Sequence, residues 1–361
     1  MPNEVFNYSV FGVFTLDEIL MLLGYVAFCL VLVALGFGAY SLLLRRANNK
    51  TKSRLDFLDE KWEQLILEVL AGDRPYLYLL EQIKNKDRVY FLNFLLKYAK
   101  LIRGEELAIL SNLAAPYLPE LLPHLKSRDI EIRAGAIHTL ATLGYEQYRE
   151  QLYDALNDHS TYVSIFAVQA IVQNKSIEYF PRVLDAMNRY EFWSIKYLSS
   201  LLSRAGVEAC PLMRNALNDP NNSDRIRIIS AESLLLLNDY QAVESAIHVI
   251  HSTSNPELTA AGIRLLAKIG GTQQIKEVLP YIKSQHNSIR IAAVYALAAL
   301  GRRDEIVPYL VDALNDPSVW VALQSAHGLV RCGAREVLSE LGYSYHSRGT
   351  LIHQILNEVS V

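Results

Sequence analysis

Leu314-Asn315-Asp316-Pro317-Ser318-Val319-Trp320-Val321-Ala322 decides how the rest of this 361-residue chain is read. An aliphatic residue is followed by a short polar turn of the Asn-Asp-Pro type. Eight positions after Leu314 comes Ala322, which opens a second helix, with Leu329 seven further on and Gly333 eleven further on. The same frame returns as Leu125, Arg133, Leu140, Gly144; as Ile282, Arg290, Leu297, Gly301; as Leu156, Ser164, Ile171; and as Met187, Ile195, Leu202, Gly206. Two copies have longer turns, Leu217 to Arg227 through Asp219-Pro220-Asn221-Asn222 and Ile250 to Thr259 through Asn255-Pro256. The anchors Arg133, Ser164, Ile195, Arg227, Thr259, Arg290 and Ala322 stand 31, 31, 32, 32, 31 and 32 residues apart, a regularity that signals an array.

Both halves of each unit carry apolar residues at helical spacing, as in Ile291, Val294, Leu297 and Leu300, so each unit is a helix pair. One pair cannot bury both of its apolar stripes, and stacking completes the core. The spacing therefore predicts an all-α chain, an α-solenoid of about seven to eight helix pairs. Asp or Asn in the turn is placed to cap the second helix, and Pro suits its first turn but not its interior. Gly at the end of the frame is expected to stop the helix in the left-handed conformation.

These units resemble the HEAT-repeat family in its short bacterial form, best in Leu121-Leu122-Pro123-His124-Leu125 with Asp129-Ile130-Glu131-Ile132-Arg133-Ala134-Gly135-Ala136, and in the 314–322 stretch. The resemblance covers 105–335, with a degenerate first copy in 75–104 marked by Ile83, Lys86-Asp87-Arg88 and Phe91. It implies a superhelical scaffold that binds partners, most often proteins, and no particular activity. The anchor arginine commonly ladders to acidic or carbonyl groups of adjacent repeats in that family.

The ends of an array differ from its middle. Leu55, Leu58, Trp62, Leu65 and Val69 share one helical face and read as a capping helix, so 55–104 is assigned to this cap and the degenerate repeat. Residues 336–361, with Leu351, Ile352 and Ile355, read as the other cap.

Ahead of the array, Ile19 to Leu44 is a run of 26 residues without a charge. At 1.5 Å per residue it reaches roughly 39 Å, enough to cross a ~30 Å hydrocarbon core with some tilt. Acidic residues precede it and the run is long, unlike a signal peptide, so it reads as a retained anchor over 19–44. Arg45, Arg46, Lys50, Lys52 and Arg54 form a basic juxtamembrane linker over 45–54. The positive-inside rule then predicts a single pass of the plasma (inner) membrane, with 1–18 a short extracytoplasmic tail and the repeats cytoplasmic. Gly24, Ala27, Ala34, Gly38 and Ser41 share one face of the span and are candidates for packing against another membrane helix.

Net charge is −3, and the acids of 1–18 and the bases of 45–54 leave −5 on the remaining body. A mildly acidic body excludes general nucleic-acid binding. Cys29, Cys210 and Cys332 are far apart, form neither a disulfide framework nor a metal site, and read as buried thiols. His248 and His251 lack further ligands at metal spacing, and no Walker loop, HExxH or nucleophile elbow occurs. No catalytic residue, metal or cofactor is implied.

One irregularity stands out. Two positions before the anchor, this chain places Tyr162, Trp193 and Trp320, against Glu131, Arg225, Glu257 and Ser288 in the other copies. The turn before Trp193 reads Tyr190-Glu191-Phe192. Trp and Tyr dominate interface hot spots, so Tyr162, Tyr190, Phe192, Trp193 and Trp320 are candidate partner-binding residues. The expectation is a membrane-anchored, non-enzymatic interaction scaffold or accessory subunit. Its partner would be a protein, either integral to the membrane or the cytoplasmic domain of one. The alternative is a HEAT-type enzyme resembling bilin lyases, onto which no catalytic residue carries over.

Overall fold

The computed structural model describes residues 9–10, 14–343 and 348–358, in two compact units, 1–94 and 95–361. Apart from a two-residue antiparallel pair, β1 (Ser9–Val10) and β2 (Phe14–Thr15), with Ser9 opposite Thr15, every element among the described residues is helical. The rest of the tail expected over 1–18 lies mainly outside the described residues.

The first unit is built on α1 (Leu16–Leu70), a single helix of 55 residues and therefore roughly 82 Å long. Within it Leu20–Arg46 is long and apolar enough to cross a membrane, with mean hydropathy 2.6 and none of its span buried. The basic segment 45–54, read from the sequence as a linker, is an uninterrupted part of this helix. No Gly or Pro occurs between Gly38 and Gly72, so nothing breaks the backbone ladder. Gly72, at φ +79°, ends it, with its N–H on Val69 O. The last turns of α1 bury Trp62, Ile66 and Val69, while Leu55, Leu58 and Leu65 of the same face are half-buried. Trp62 meets Phe91 and Phe94 of α3 (Arg88–Ala99) edge-on, with ring centroids 5.1 and 5.5 Å away. Beside this cluster, and beyond α2 (Tyr76–Glu81), Arg54 pairs with the buried Asp87. The Tyr90 hydroxyl donates to Asp59 at 2.7 Å, and burial, that bond and the Asp59 and Asp56 charges raise its pKa to about 12.

In the second unit, α4 (Glu105–Ala114) and two short 3-10 segments, Leu118–Leu121 and Pro123–Lys126, lead into α5 (Ile130–Leu143). Helix pairs then follow in the expected order: α6 (Arg149–Asp154) with α7 (Thr161–Gln173), α8 (Phe180–Ala186) with α9 (Ile195–Leu202), and α10 (Cys210–Asn218) with α11 (Asp224–Leu237). Next come α12 (Val243–Ser252) with α13 (Pro256–Ile269), α14 (Ile275–Val278) with α15 (Asn287–Leu300), and α16 (Arg303–Ala313) with α17 (Val319–Arg331). The second helices α5, α7, α9, α11, α13, α15 and α17 pack each on the next, forming one continuous row. The aliphatic positions of the frame are its core; Leu140, Leu202, Leu297 and Leu329 are all buried. Helices α18 (Arg335–Tyr343) and α19 (Gly349–Glu358) pack on α17, with Ile352 and Ile355 buried and Leu351 half-buried, while 344–347 and 359–361 lie outside the described residues.

Local chemistry follows the turn residues. Asp129 caps α5 through the N–H groups of Glu131 and Ile132, Asn255 caps α13 through those of Glu257 and Leu258, and Pro256 stands at the first position of α13. The helix-ending glycines divide. Gly206 and Gly333 take the left-handed conformation, at φ +83° and +78°, whereas Gly144 and Gly301 have negative φ. At those two positions the requirement is space. A Cβ on Gly144 would lie 2.5 Å from Leu118 Cδ1, and one on Gly301 would strike Ile306.

Candidate functional site: the face of the second helices

The anchor falls in the first turn of α5, α7, α11, α13, α15 and α17, as its fourth residue. Helix α9 is the exception, for it begins at Ile195 itself, and residues 190–194 stay out of the helix. The cause sits one repeat later. Arg225, at the register position that Trp193 occupies in its own copy, donates to the carbonyl oxygens of Tyr190 and Trp193, both at 2.6 Å. These bonds hold the segment as a loop, and its tip, Phe192, is 99% exposed.

The five aromatic residues singled out by sequence take three different places. Tyr190 is fully buried, contrary to the expectation that it contacts a partner. Its hydroxyl shares a 2.7 Å hydrogen bond with Ser164 Oγ, which itself bonds Leu156 O at 2.7 Å, so Tyr190 is a strut between repeats. Burial drives its pKa upward against the opposing Ser164 bond. Phe192, Trp193 and Tyr162 stand on neighbouring repeats; Tyr162 is 50% exposed and Trp193 half-buried. Trp320, 69% exposed, stands on α17 and is not part of that cluster.

Three residues complete the cluster. Phe166 meets Tyr162 edge-on at 5.4 Å, Tyr197 lies 5.4 Å from Trp193, and His138 of α5 lies 5.1 Å from Phe166. Gln169 Nε2 donates to Tyr197 OH at 3.0 Å, tying α7 to α9. Phe166 was legible in the sequence, because it follows Tyr162 by four residues on the same helix face, whereas Tyr197 follows Trp193 by four residues across the start of α9. Burial, then the Lys100 charge, lowers the His138 pKa and keeps the ring neutral within this aromatic surface.

Next to the loop, α9, α11 and α13 enclose an open groove of about 710 Å³ lined by Ile195, Lys196, Arg225, Ile228, Leu236 and Arg264, among others. Arg264 is paired with Glu232, its Nε 2.9 Å from the carboxylate. Leu236 leaves nearly half of its surface open there.

The anchor arginines are structural. Arg133 makes a two-pronged ion pair with Asp158 of the next repeat, at 3.0 and 3.1 Å, and Arg290 does the same with Asp316, at 2.7 and 2.9 Å. Burial opposes ionisation of Asp158 and Asp316. The arginine hydrogen bonds, the Ser160 and Ser318 N–H groups and the nearby positive charges outweigh it and hold both below the ordinary aspartate range. Arg227, buried, donates to Leu217 O at 2.9 Å.

On the apolar stretch of α1, Gly24, Ala27, Ala34, Gly38 and Ser41 are all exposed, and a Cβ on Gly24 or Gly38 would meet nothing within 4 Å. His251 pairs with Glu277 at 2.8 Å, and among the described residues no three His, Cys, Asp or Glu gather as a metal site. Cys210 is buried and its thiol is pushed up by burial, whereas Cys29 and Cys332 are half-buried.

Residues 118–196 and 243–330 match the family model for HEAT repeats. No curated protein matches the sequence. Among solved structures, the complex of CpcE and CpcF of phycocyanin lyase from Nostoc sp. PCC7120 is 18% identical, with a TM-score of 0.34 over 68% of this chain and 88% of that one. The karyopherin Kap121p bound to the extreme C-terminus of the protein phosphatase Cdc14p is 15% identical, with a TM-score of 0.43 over 76% of this chain and 38% of that one. A designed armadillo repeat protein is 17% identical, with a TM-score of 0.29 over 60% of this chain and 99% of that one. The two matched stretches are HEAT repeats, and the residues between them carry the same frame.

Proposed function

We propose that this chain is a membrane-anchored docking scaffold without enzymatic activity. Leu20–Arg46 crosses the plasma (inner) membrane once, 1–18 lies outside, and the repeats stand at the cytoplasmic face. There the second-helix surface around Phe192 receives a protein partner, itself integral to the membrane or the cytoplasmic domain of such a protein. Phe192 carries the reading. A wholly exposed aromatic ring costs solubility unless something covers it, and here the loop presenting it is fixed in advance by Arg225. The small-residue face of Gly24, Ala27, Ala34, Gly38 and Ser41 supplies a second contact within the bilayer. The basic residues that follow the span support the orientation, and the uninterrupted course of α1 makes the anchor a rigid post.

The test uses the full-length chain carrying a photo-crosslinking amino acid in place of Phe192. After illumination in native membranes and mild-detergent extraction, mass spectrometry identifies what is joined to it. One stoichiometric protein crosslinked from position 192, and lost when the label is moved to a first-helix site such as Glu244, is the expected result. Equal crosslinking from both positions, or none from either, overturns the docking reading. Labelling of a thiol placed at Glu340 by an impermeant reagent added to intact cells would overturn the topology.

A further inference from the structure

The residues two positions before the anchor line up across four consecutive repeats as Glu131, Tyr162, Trp193 and Arg225: carboxylate, phenol, indole, guanidinium. All four stand on, or just ahead of, adjacent second helices that pack side by side. Packed helices lie about 8–10 Å apart. A polyproline II strand advances about 3.1 Å per residue, so every third side chain falls roughly 9.3 Å further on. The two repeats coincide. Resting on the docking reading above, the geometry points to a proline-rich segment in polyproline II conformation as the partner element this face receives, with a basic residue, two prolines and an acidic residue at three-residue intervals.

Each step of the row has a matching group. Among the described residues the carboxylate of Glu131 has no ion-pair partner, so it is open to a lysine or arginine on the ligand. Tyr162, backed edge-on by Phe166, and Trp193, backed by Tyr197, offer rigid rings on which prolyl faces stack. Their neighbours already fix these rings, so little side-chain entropy is lost on binding. Arg225 is held on two carbonyl oxygens and faces no carboxylate of its own row, so its charge is left for an acid. A polyproline strand also suits a helical face in another respect. It needs no backbone pairing from its host, and a row of helices has no sheet edge to offer. The order of charges along the row, negative at Glu131 and positive at Arg225, sets the register by charge complementarity.

The experiment measures fluorescence anisotropy of a labelled synthetic peptide, one lysine, eight prolines and one glutamate, titrated with the full-length chain in mild detergent. The control peptide keeps the terminal charges and replaces the prolines by alternating glycine and serine. Saturable binding at least tenfold tighter for the proline peptide is expected. Tyr162→Ala should weaken it at least fivefold at an unchanged melting temperature. Glu131→Lys should weaken it similarly and be rescued by a peptide carrying glutamate in place of its lysine. Equal binding of the two peptides by the unmodified chain overturns the inference without relying on any variant, as does the absence of charge-swap rescue. A protein crosslinked from position 192 alongside failure of the proline peptide would overturn the ligand class and leave the docking face standing; failure of both would remove the docking face as well.

Discussion

Arg189 donates from its guanidinium to the main-chain oxygen of Asp158, in the turn six residues before the anchor Ser164. That position repeats along the array. Arg133 bonds Ser127 O at 2.7 Å, Arg290 bonds Ser284 O at 2.7 Å and Arg348 bonds Asp316 O at 2.8 Å, in each case the carbonyl six residues before an anchor. The anchors Arg133 and Arg290 each serve their own turn and take an aspartate, Asp158 or Asp316, from the next repeat, whereas the anchor Arg227 bonds Leu217 O instead. Where the anchor is Ser164 or Ala322, an arginine from further along reaches back to do the same work. A guanidinium over the turn is thus common to these four turns, and which repeat supplies it is interchangeable.

This exchange predicts a rescue. Arg189→Ala removes the donor to Asp158 O and one of the two donors to Leu156 O, which keeps Ser164 Oγ, and should lower unfolding free energy by about 1–3 kcal/mol, the usual cost of losing hydrogen bonds from a charged group. Ser164→Arg combined with Arg189→Asp rebuilds the Arg133–Asp158 arrangement one repeat along and should recover more than either change alone. Urea unfolding followed by circular dichroism of the four variants gives the coupling; strictly additive losses would refute the interchange.

The aspartates of the Ser164 and Ala322 turns make stability depend on acid. Asp158 and Asp316 are held below the ordinary value near 3.9, so the unfolded chain takes up protons first as pH falls. Their contribution is complete above about pH 5 and is lost progressively through pH 4 and below. His138 adds a slope at higher pH, because its native pKa is lowered and the unfolded ring protonates first below about 6.5. Melting temperature should therefore fall slightly from pH 7 to 5 and steeply below 4. Asp158→Asn with Asp316→Asn should start lower at pH 7 and lose less between pH 5 and 3. Parallel curves for variant and parent would exclude these carboxylates as the source.

The repeat frame was legible because seven anchors at one period leave little freedom, and the capping of α5 and α13 followed from Asp129 and Asn255 directly. What failed to show was every feature set by a residue a repeat away. Tyr190 looks like a surface aromatic in a polar turn until Ser164, 26 residues earlier, is seen to receive it. The full exposure of Phe192 depends on Arg225, beyond the end of α9. The continuity of α1 was open to reading, since no helix breaker separates the apolar run from Trp62, but the basic cluster drew attention to charge instead of backbone.

The glycines separate space from conformation. Gly301→Ala forces a Cβ against Ile306 and within 2.8 Å of Leu297 O and should destabilise by several kcal/mol through overpacking and strain. Gly135, inside α5 with nothing within 4 Å of its Cβ, should gain about 0.5–1 kcal/mol when changed to Ala, from helix propensity alone. Thermal melts of the two variants decide it, and the same sign for both would contradict the geometry.

Tyr190 and Phe192, two residues apart, should behave as opposites. Tyr190→Phe keeps the ring and deletes the hydroxyl that meets Ser164, so the buried serine loses its 2.7 Å partner and keeps Leu156 O and the longer Arg189 contact, and stability should drop by about 1 kcal/mol. Phe192→Ser touches nothing inside the fold and should leave the melting temperature within a degree or raise solubility, because an exposed ring is replaced by a hydroxyl. Partner crosslinking scored from a neighbouring labelled position, Lys196, should reverse the order, surviving Tyr190→Phe and falling severalfold with Phe192→Ser. If Phe192→Ser destabilises while crosslinking persists, the loop serves the stack, and the second-helix face loses its main claim to a partner.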